Sequence, residues 1–148
     1  KFVAEADKHG LKPIVGCEFY LVEDRFQKSF TKANKDNRCH QLMLAKNAEG
    51  YKNLSKLCSL GFIDGMYSKW PRIDKELVLK YKEGLIATTC CIGAEVPQAI
   101  LHKSEEEAEE LVVLASHNMP TDFGLSLRVF MSRYRRTIWR CLVCGFMS

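Results

Sequence analysis

The sequence predicts an α/β fold built on a mainly parallel sheet, open or rolled into a barrel. Three observations carry the prediction. Short apolar runs of strand length recur at residues 14–22, 39–46 and 85–89. Segments with the 3.6-residue apolar spacing of helices lie between and around them. The resulting order (helix, strand, strand, helix, helix, strand, helix, helix) alternates in the manner of βα units.

Phe2, Val3 and Ala6 have helical spacing, and Gly10 is a natural stop after His9. Pro13 opens the run Ile14 to Val22, which is rich in β-branched and aromatic residues and apolar on both faces, so it reads as a buried strand. Residues 23–38 are polar and read as a surface loop. Cys39 to Lys46 is a second strand. Ala48 to Phe62 is a helix, its stripe formed by Tyr51, Leu54, Leu57, Cys58 and Phe62. A loop from Gly65 to Pro71 follows. Asp74 then caps a short helix that buries Leu77, Val78 and Tyr81. Gly84 ends it, and Leu85 to Thr89 forms the third strand. Glu95 to Leu101 is helical. Ser104 followed by Glu105, Glu106 and Glu107 starts the last helix, with a capping hydroxyl and acid in the first turn.

With 148 residues, 47% of them apolar, the chain is long enough to build a core without disulfides. No run of roughly eighteen apolar residues occurs, which argues against a membrane-spanning helix. The chain opens on Lys1-Phe2-Val3 rather than Met, and we expect the natural N-terminus to lie upstream. No signal peptide is recognised. Together with seven irregularly spaced cysteines, this points to a reducing, cytoplasmic setting. The net charge of +4 is unevenly distributed: residues 1–112 are neutral, whereas residues 113–148 carry five Arg, no Lys and one Asp. Cys141 and Cys144 form a CxxC pair without a second pair at zinc-ribbon spacing.

Neither GxGxxG, GxxxxGK[ST] nor GxSxG occurs, so nucleotide loops and the hydrolase elbow find no support. The candidates are polar residues among apolar ones. Glu18 lies inside an apolar run, where an ionised carboxylate needs a partner, a metal or an exposed strand face. His40 opens the second strand, either as a hydrogen-bonded structural residue or as a metal ligand. Cys90 and Cys91 leave the third strand, either as inert buried thiols or as thiolate ligands at a strand end.

Several collinear blocks give these residues a template. They are Gly10-Leu11-Lys12-Pro13-Ile14-Val15-Gly16-Cys17-Glu18-Phe19-Tyr20, His40-Gln41-Leu42-Met43-Leu44-Ala45-Lys46-Asn47, Glu49-Gly50-Tyr51-Lys52-Asn53-Leu54, Pro71-Arg72-Ile73-Asp74-Lys75-Glu76-Leu77, and Gly84 through Pro97. Together they resemble the polymerase-and-histidinol-phosphatase (PHP) domain found at the N-terminus of bacterial DNA polymerase III alpha subunits. The resemblance fades after Val112.

The resemblance implies a distorted (β/α)7 barrel of which this chain is a part truncated at both ends, with residues 1–112 a partial PHP domain. It implies metal ligation by Glu18, His40 and Cys91, which match the family's GCE-, HLxLLAKN- and SGCLSGE-type blocks. Other family ligands, an N-terminal His-x-His and a later Asp-x-His, find no match here. The metal would be Zn or Mn, and a thiolate tilts the choice toward Zn. The implied parent is a DNA-directed DNA polymerase whose palm, holding Mg, lies far beyond this chain. DNA, deoxynucleoside triphosphates and other replicase subunits would be its partners. The PHP site would be either a 3′–5′ exonuclease or a structural remnant. A stand-alone phosphoesterase such as histidinol phosphatase is the alternative. For residues 113–148 we expect a poorly ordered stretch from a shifted reading frame, rather than a basic extension that contacts phosphates, because no amphipathic period runs through it.

Overall fold

The computed structural model describes residues 1–88 and 90–118. Helix α1 (Phe2–Lys8) ends as its sequence predicts: Gly10 takes φ 65°, and the amides of Gly10 and Leu11 bond back to Asp7 and Ala6. α1 buries none of its residues, so Phe2 and Val3 stay exposed. Strand β1 (Gly16–Val22) starts two residues later than expected, leaving Ile14 exposed. Strand β2 (Cys39–Ala45) and helix α2 (Ala48–Ile63) follow. Next come strand β3 (Arg72–Asp74), helix α3 (Lys75–Lys80) and strand β4 (Leu85–Ala87). Helices α4 (Glu95–His102) and α5 (Glu105–Asn118) complete the described chain. Ser104 Oγ accepts from the Glu107 amide at 3.2 Å, as the capping pattern requires.

The four strands form one open sheet in the order β3-β1-β2-β4. β1 pairs parallel to β3, whereas β2 pairs antiparallel to both β1 and β4. The sheet is therefore mixed, not mainly parallel, and it does not close. The cause is local: residues 23–38 hold no helix, so the chain doubles back and returns beside β1 in the opposite direction. β3 escapes prediction because three residues are too few to show a period of two.

One sheet face meets α2. Phe19, Leu21, Met43, Leu54, Leu57, Ile73, Leu77, Val78, Leu85 and Ala87 form the core there. The buried side of α2 differs from its apolar stripe. Tyr51 is 55% and Phe62 58% exposed, while Gly50, Asn53 and Gly61 are buried with Leu54 and Leu57. Close approach explains the small residues. A Cβ on Gly50 would overlap the carbonyl oxygen of Gly84, and one on Gly61 would press on Ile73 at 3.3 Å. Gly84 itself sits at φ 71°. Its carbonyl accepts from the Lys46 amide, Asn47 Oδ1 caps α2 at the Gly50 amide, and Asn53 donates to the Glu83 carbonyl.

Residues 23–38 are held by charges buried in and beside β3. Arg72 is 0% exposed. It donates to the carbonyls of Gly65, Arg25 and Gln27 and to Asp36 Oδ1 at 2.7–3.2 Å, beside the edge-packed rings of Phe30 and Tyr67. Asp74 accepts from Arg25 Nη1 at 2.7 and 2.8 Å and caps α3 through the Leu77 amide. Burial works against the Arg25 charge, but the Asp74 bonds and the charges of Asp74, Glu76 and Asp64 outweigh it and raise the guanidinium pKa.

α5 crosses Val112 without a break. The Arg-rich remainder from residue 119 onward, with Cys141 and Cys144, lies outside the described residues. Among the described residues no helix is long and apolar enough to cross a membrane.

Gly50→Ala should lower stability by about 1–3 kcal/mol through overpacking against Gly84, read as a drop in the urea midpoint at unchanged slope. Arg72→Leu removes the donor to the Gly65 and Gln27 carbonyls and leaves Asp36 with Arg38 alone, and it should cost about 3–5 kcal/mol in the same measurement. A loss within 0.5 kcal/mol of zero, roughly what an ordinary surface substitution gives, would contradict the role assigned to either residue.

Candidate metal centre

Alternation along β1 sends Phe19 and Leu21 into the core and turns Glu18 and Tyr20 to the opposite face. In β2 the alternation places Met43 in the core and His40 and Leu42 on that same opposite face. Tyr20 lies directly across from His40, and Glu18 across from Leu42. Glu18 and His40 are thus diagonal neighbours on one face, a separation that long side chains bridge. Glu18 Oε1 lies 3.1 Å from His40 Nδ1.

The direction of β2 brings in the third residue. Because β2 runs against its neighbours, its first residues lie beside the exits of β1 and β4. Past β4, the Thr88 amide still bonds to the Leu42 carbonyl at 3.1 Å, and the Gly93 carbonyl accepts from the His40 amide at 2.9 Å. The turn between them is clamped to β2 on both sides and carries Cys91, whose Sγ lies 3.2 Å from His40 Nδ1. Gly93 makes room for the imidazole, since a Cβ there would meet Nδ1 at 3.2 Å. The Tyr20 ring supports it edge-on at 5.5 Å.

Among the described residues, Glu18, His40 and Cys91 form a group of potential ligands whose donor atoms all lie within 4.8 Å of one another. The structure therefore brings together three of the four candidates, leaving Cys90 outside the group, and does so beside a mixed sheet. Glu18 stands on an exposed strand face and has His40 as its partner. His40 reaches the site from a strand entry because β2 runs against β1 and β4 and begins where they leave. Tyr20 and Gly93 were not singled out. Tyr20 was legible two residues from Glu18, on the same face, whereas the role of Gly93 depends on contact with a distant strand.

The donor chemistry fits a divalent cation. Two ligands of one tetrahedral zinc at 2.0–2.3 Å lie about 3.3–3.7 Å apart, and the contacts of 3.1 and 3.2 Å from Nδ1 are close to that spacing. Carboxylate oxygen, imidazole nitrogen and thiol sulfur are the donor types zinc sites use. The site is open: the Glu18 side chain is 55% and that of His40 37% exposed, and Cys91 is exposed.

The other thiols differ. Burial, the bond from Cys58 Sγ at 3.6 Å and the charges of Cys58 and Glu18 push the Cys17 thiol up to about 12. Burial, with the charge of Glu95, also raises that of Cys39. A raised thiol pKa means the fold favours the neutral form. The stability it contributes is whole below the ordinary thiol range and is lost as pH climbs through that range toward 12. At pH 8, Cys17 should hold about a thousandfold less thiolate than an unperturbed cysteine. Mass-spectrometric mapping after iodoacetamide treatment should find Cys91 modified well before Cys17. Equal rates would contradict the assigned environments.

Comparison with known proteins shows what the chain is similar to. A family model described as the PHP domain matches residues 1–128. A protein of Borreliella burgdorferi named DNA polymerase III subunit alpha is 42% identical over 129 residues, covering 86% of this chain and 11% of that protein. Proteins of the same name from Thermus aquaticus and Treponema pallidum are 41% and 42% identical, covering 74% and 68% of this chain and 9% and 8% of theirs. The chain thus spans about a tenth of the length of these relatives.

Proposed function

This chain belongs to the PHP domain family, and from that premise we propose that it forms part of the PHP domain of a bacterial DNA polymerase III alpha subunit. In this reading its sheet is one wall of a distorted (β/α)7 barrel, and Glu18, His40 and Cys91 hold a divalent metal for hydrolysis of phosphodiesters at DNA 3′ ends. The parent would be a DNA-directed DNA polymerase in the cytoplasm, working with DNA, deoxynucleoside triphosphates and other replicase subunits, its own Mg ions held by palm residues elsewhere.

The observation that carries the hydrolytic reading is the openness of the site. Structural zinc sites are closed by their protein ligands, whereas catalytic sites keep a position open. Here three donors of three kinds converge at a solvent-facing turn. When bound, the metal would supply a Lewis acid and an acidified water. This chain's residues would fix its place: His40, held by the hydrogen bond from its backbone amide to the Gly93 carbonyl and by Tyr20, stands between a carboxylate and a thiol. The thiol favours zinc over manganese. The relatives named above favour the polymerase reading over a stand-alone phosphoesterase. Composition still separates a partial PHP domain at 1–112 from a basic stretch at 113–148. The family match itself runs to residue 128.

In a polymerase containing this segment, Glu18→Gln and His40→Ala should each cut metal-dependent release of 3′ nucleotides and bound metal by at least about tenfold, with primer extension unchanged. Hydrolysis that survives both substitutions would overturn the catalytic reading. The 148-residue chain alone should extend no primer.

A further inference from the structure

Beside the three donors stands a fourth that the reading above leaves idle. Cys90 has φ 54°, one of two positive values among the described non-glycine residues. This is a backbone region that glycine enters freely and a side chain enters at a cost. The Cys90 amide donates to Thr88 Oγ1 at 3.2 Å, which helps hold the turn. Its Sγ lies 3.8 Å from Glu18 Oε1, the same oxygen that meets His40 Nδ1 at 3.1 Å. Cys91 Sγ lies 3.2 Å from that nitrogen. Cys90 Sγ touches the group through Glu18 and stands outside the three donors that lie within 4.8 Å of one another, so a turn of its side chain must bring it in. Both thiols sit in the turn whose flanks, Thr88 and Gly93, are bonded to β2.

We propose that Cys90 supplies a second sulfur to this centre, making it a four-donor site of one carboxylate, one imidazole and two thiols that selects a thiophilic cation such as Zn²⁺ or Cd²⁺. The proposal rests on the metal reading of Glu18, His40 and Cys91 and adds a ligand to it. Soft thiolate donors select zinc-like ions, whereas carboxylate and water suit Mn²⁺ and Mg²⁺. A second sulfur shifts the site further toward the first group.

The test is a Cd²⁺ titration of the full 148-residue chain under reducing conditions, reading the ultraviolet thiolate-to-cadmium charge-transfer band together with bound metal by mass spectrometry. Cys90→Gly suits the backbone at that position and Cys90→Ser keeps a small polar side chain, so at least one should fold with an unchanged circular-dichroism spectrum. Each should retain one bound ion with about half the wild-type band, as should Cys91→Ser. The double variant should show only the band that the five remaining cysteines give, and the half-band comparisons are made after subtracting it. A full band in Cys90→Gly and Cys90→Ser, with all of it lost in Cys91→Ser, would remove Cys90 from the site and leave the three-residue reading intact. No band beyond that background in the wild-type chain would overturn both.

Discussion

Two ion pairs anchored in a three-residue strand, Arg72 with Asp36 and Asp74 with Arg25, are the interactions on which the rest of this structure depends. β3 adds few ladder bonds to the sheet. Its side chains instead gather residues 23–38, the turn at Gly65 and the start of α3 around one fully buried guanidinium and one nearly buried carboxylate. Burying such charges is costly unless every donor and acceptor is met. Arg72 meets three carbonyls and a carboxylate. Asp74 meets Arg25 and a helix amide. That satisfaction fixes the path of the long loop, and the loop's path determines how β2 approaches β1.

The site follows from that approach. A helix between β1 and β2 would favour a parallel pair, with the two strands starting at the same end. The loop that is present reverses the chain, so residues at the start of β2 face residues at strand exits. His40 thereby lies between Glu18 and the turn after β4, although these are 22 and 51 residues away in sequence. The antiparallel step that departs from the expected sheet is the same step that assembles the donors.

Packing on the other side of the sheet is governed by closeness rather than bulk. α2 seats on Gly50 and Gly61 because the Gly84 carbonyl and Ile73 leave no room for larger groups. The larger apolar residues of its expected stripe, Tyr51 and Phe62, are displaced to the exposed side. Leu54 and Leu57 remain central, so the core is narrow and depends on backbone proximity at the α2–β4 corner.

What the sequence determined by itself is local. The caps at Asp74 and Ser104, the stop at Gly10, the two longer strands and the helices all rest on hydrogen bonds and periods spanning a few residues, so each was legible from its own segment. A carboxylate inside an apolar run marked Glu18, and position at strand ends marked His40 and Cys91, without showing that they meet. The tertiary structure decided the rest: the direction of β2, the existence of β3, the glycine seat of α2, the role of Gly93 and the convergence of the donors. Each depends on contacts between residues that are distant in sequence. Alternation tells which face a side chain takes, but strand direction, set here by a loop held on buried charges, decides which distant side chain shares that face.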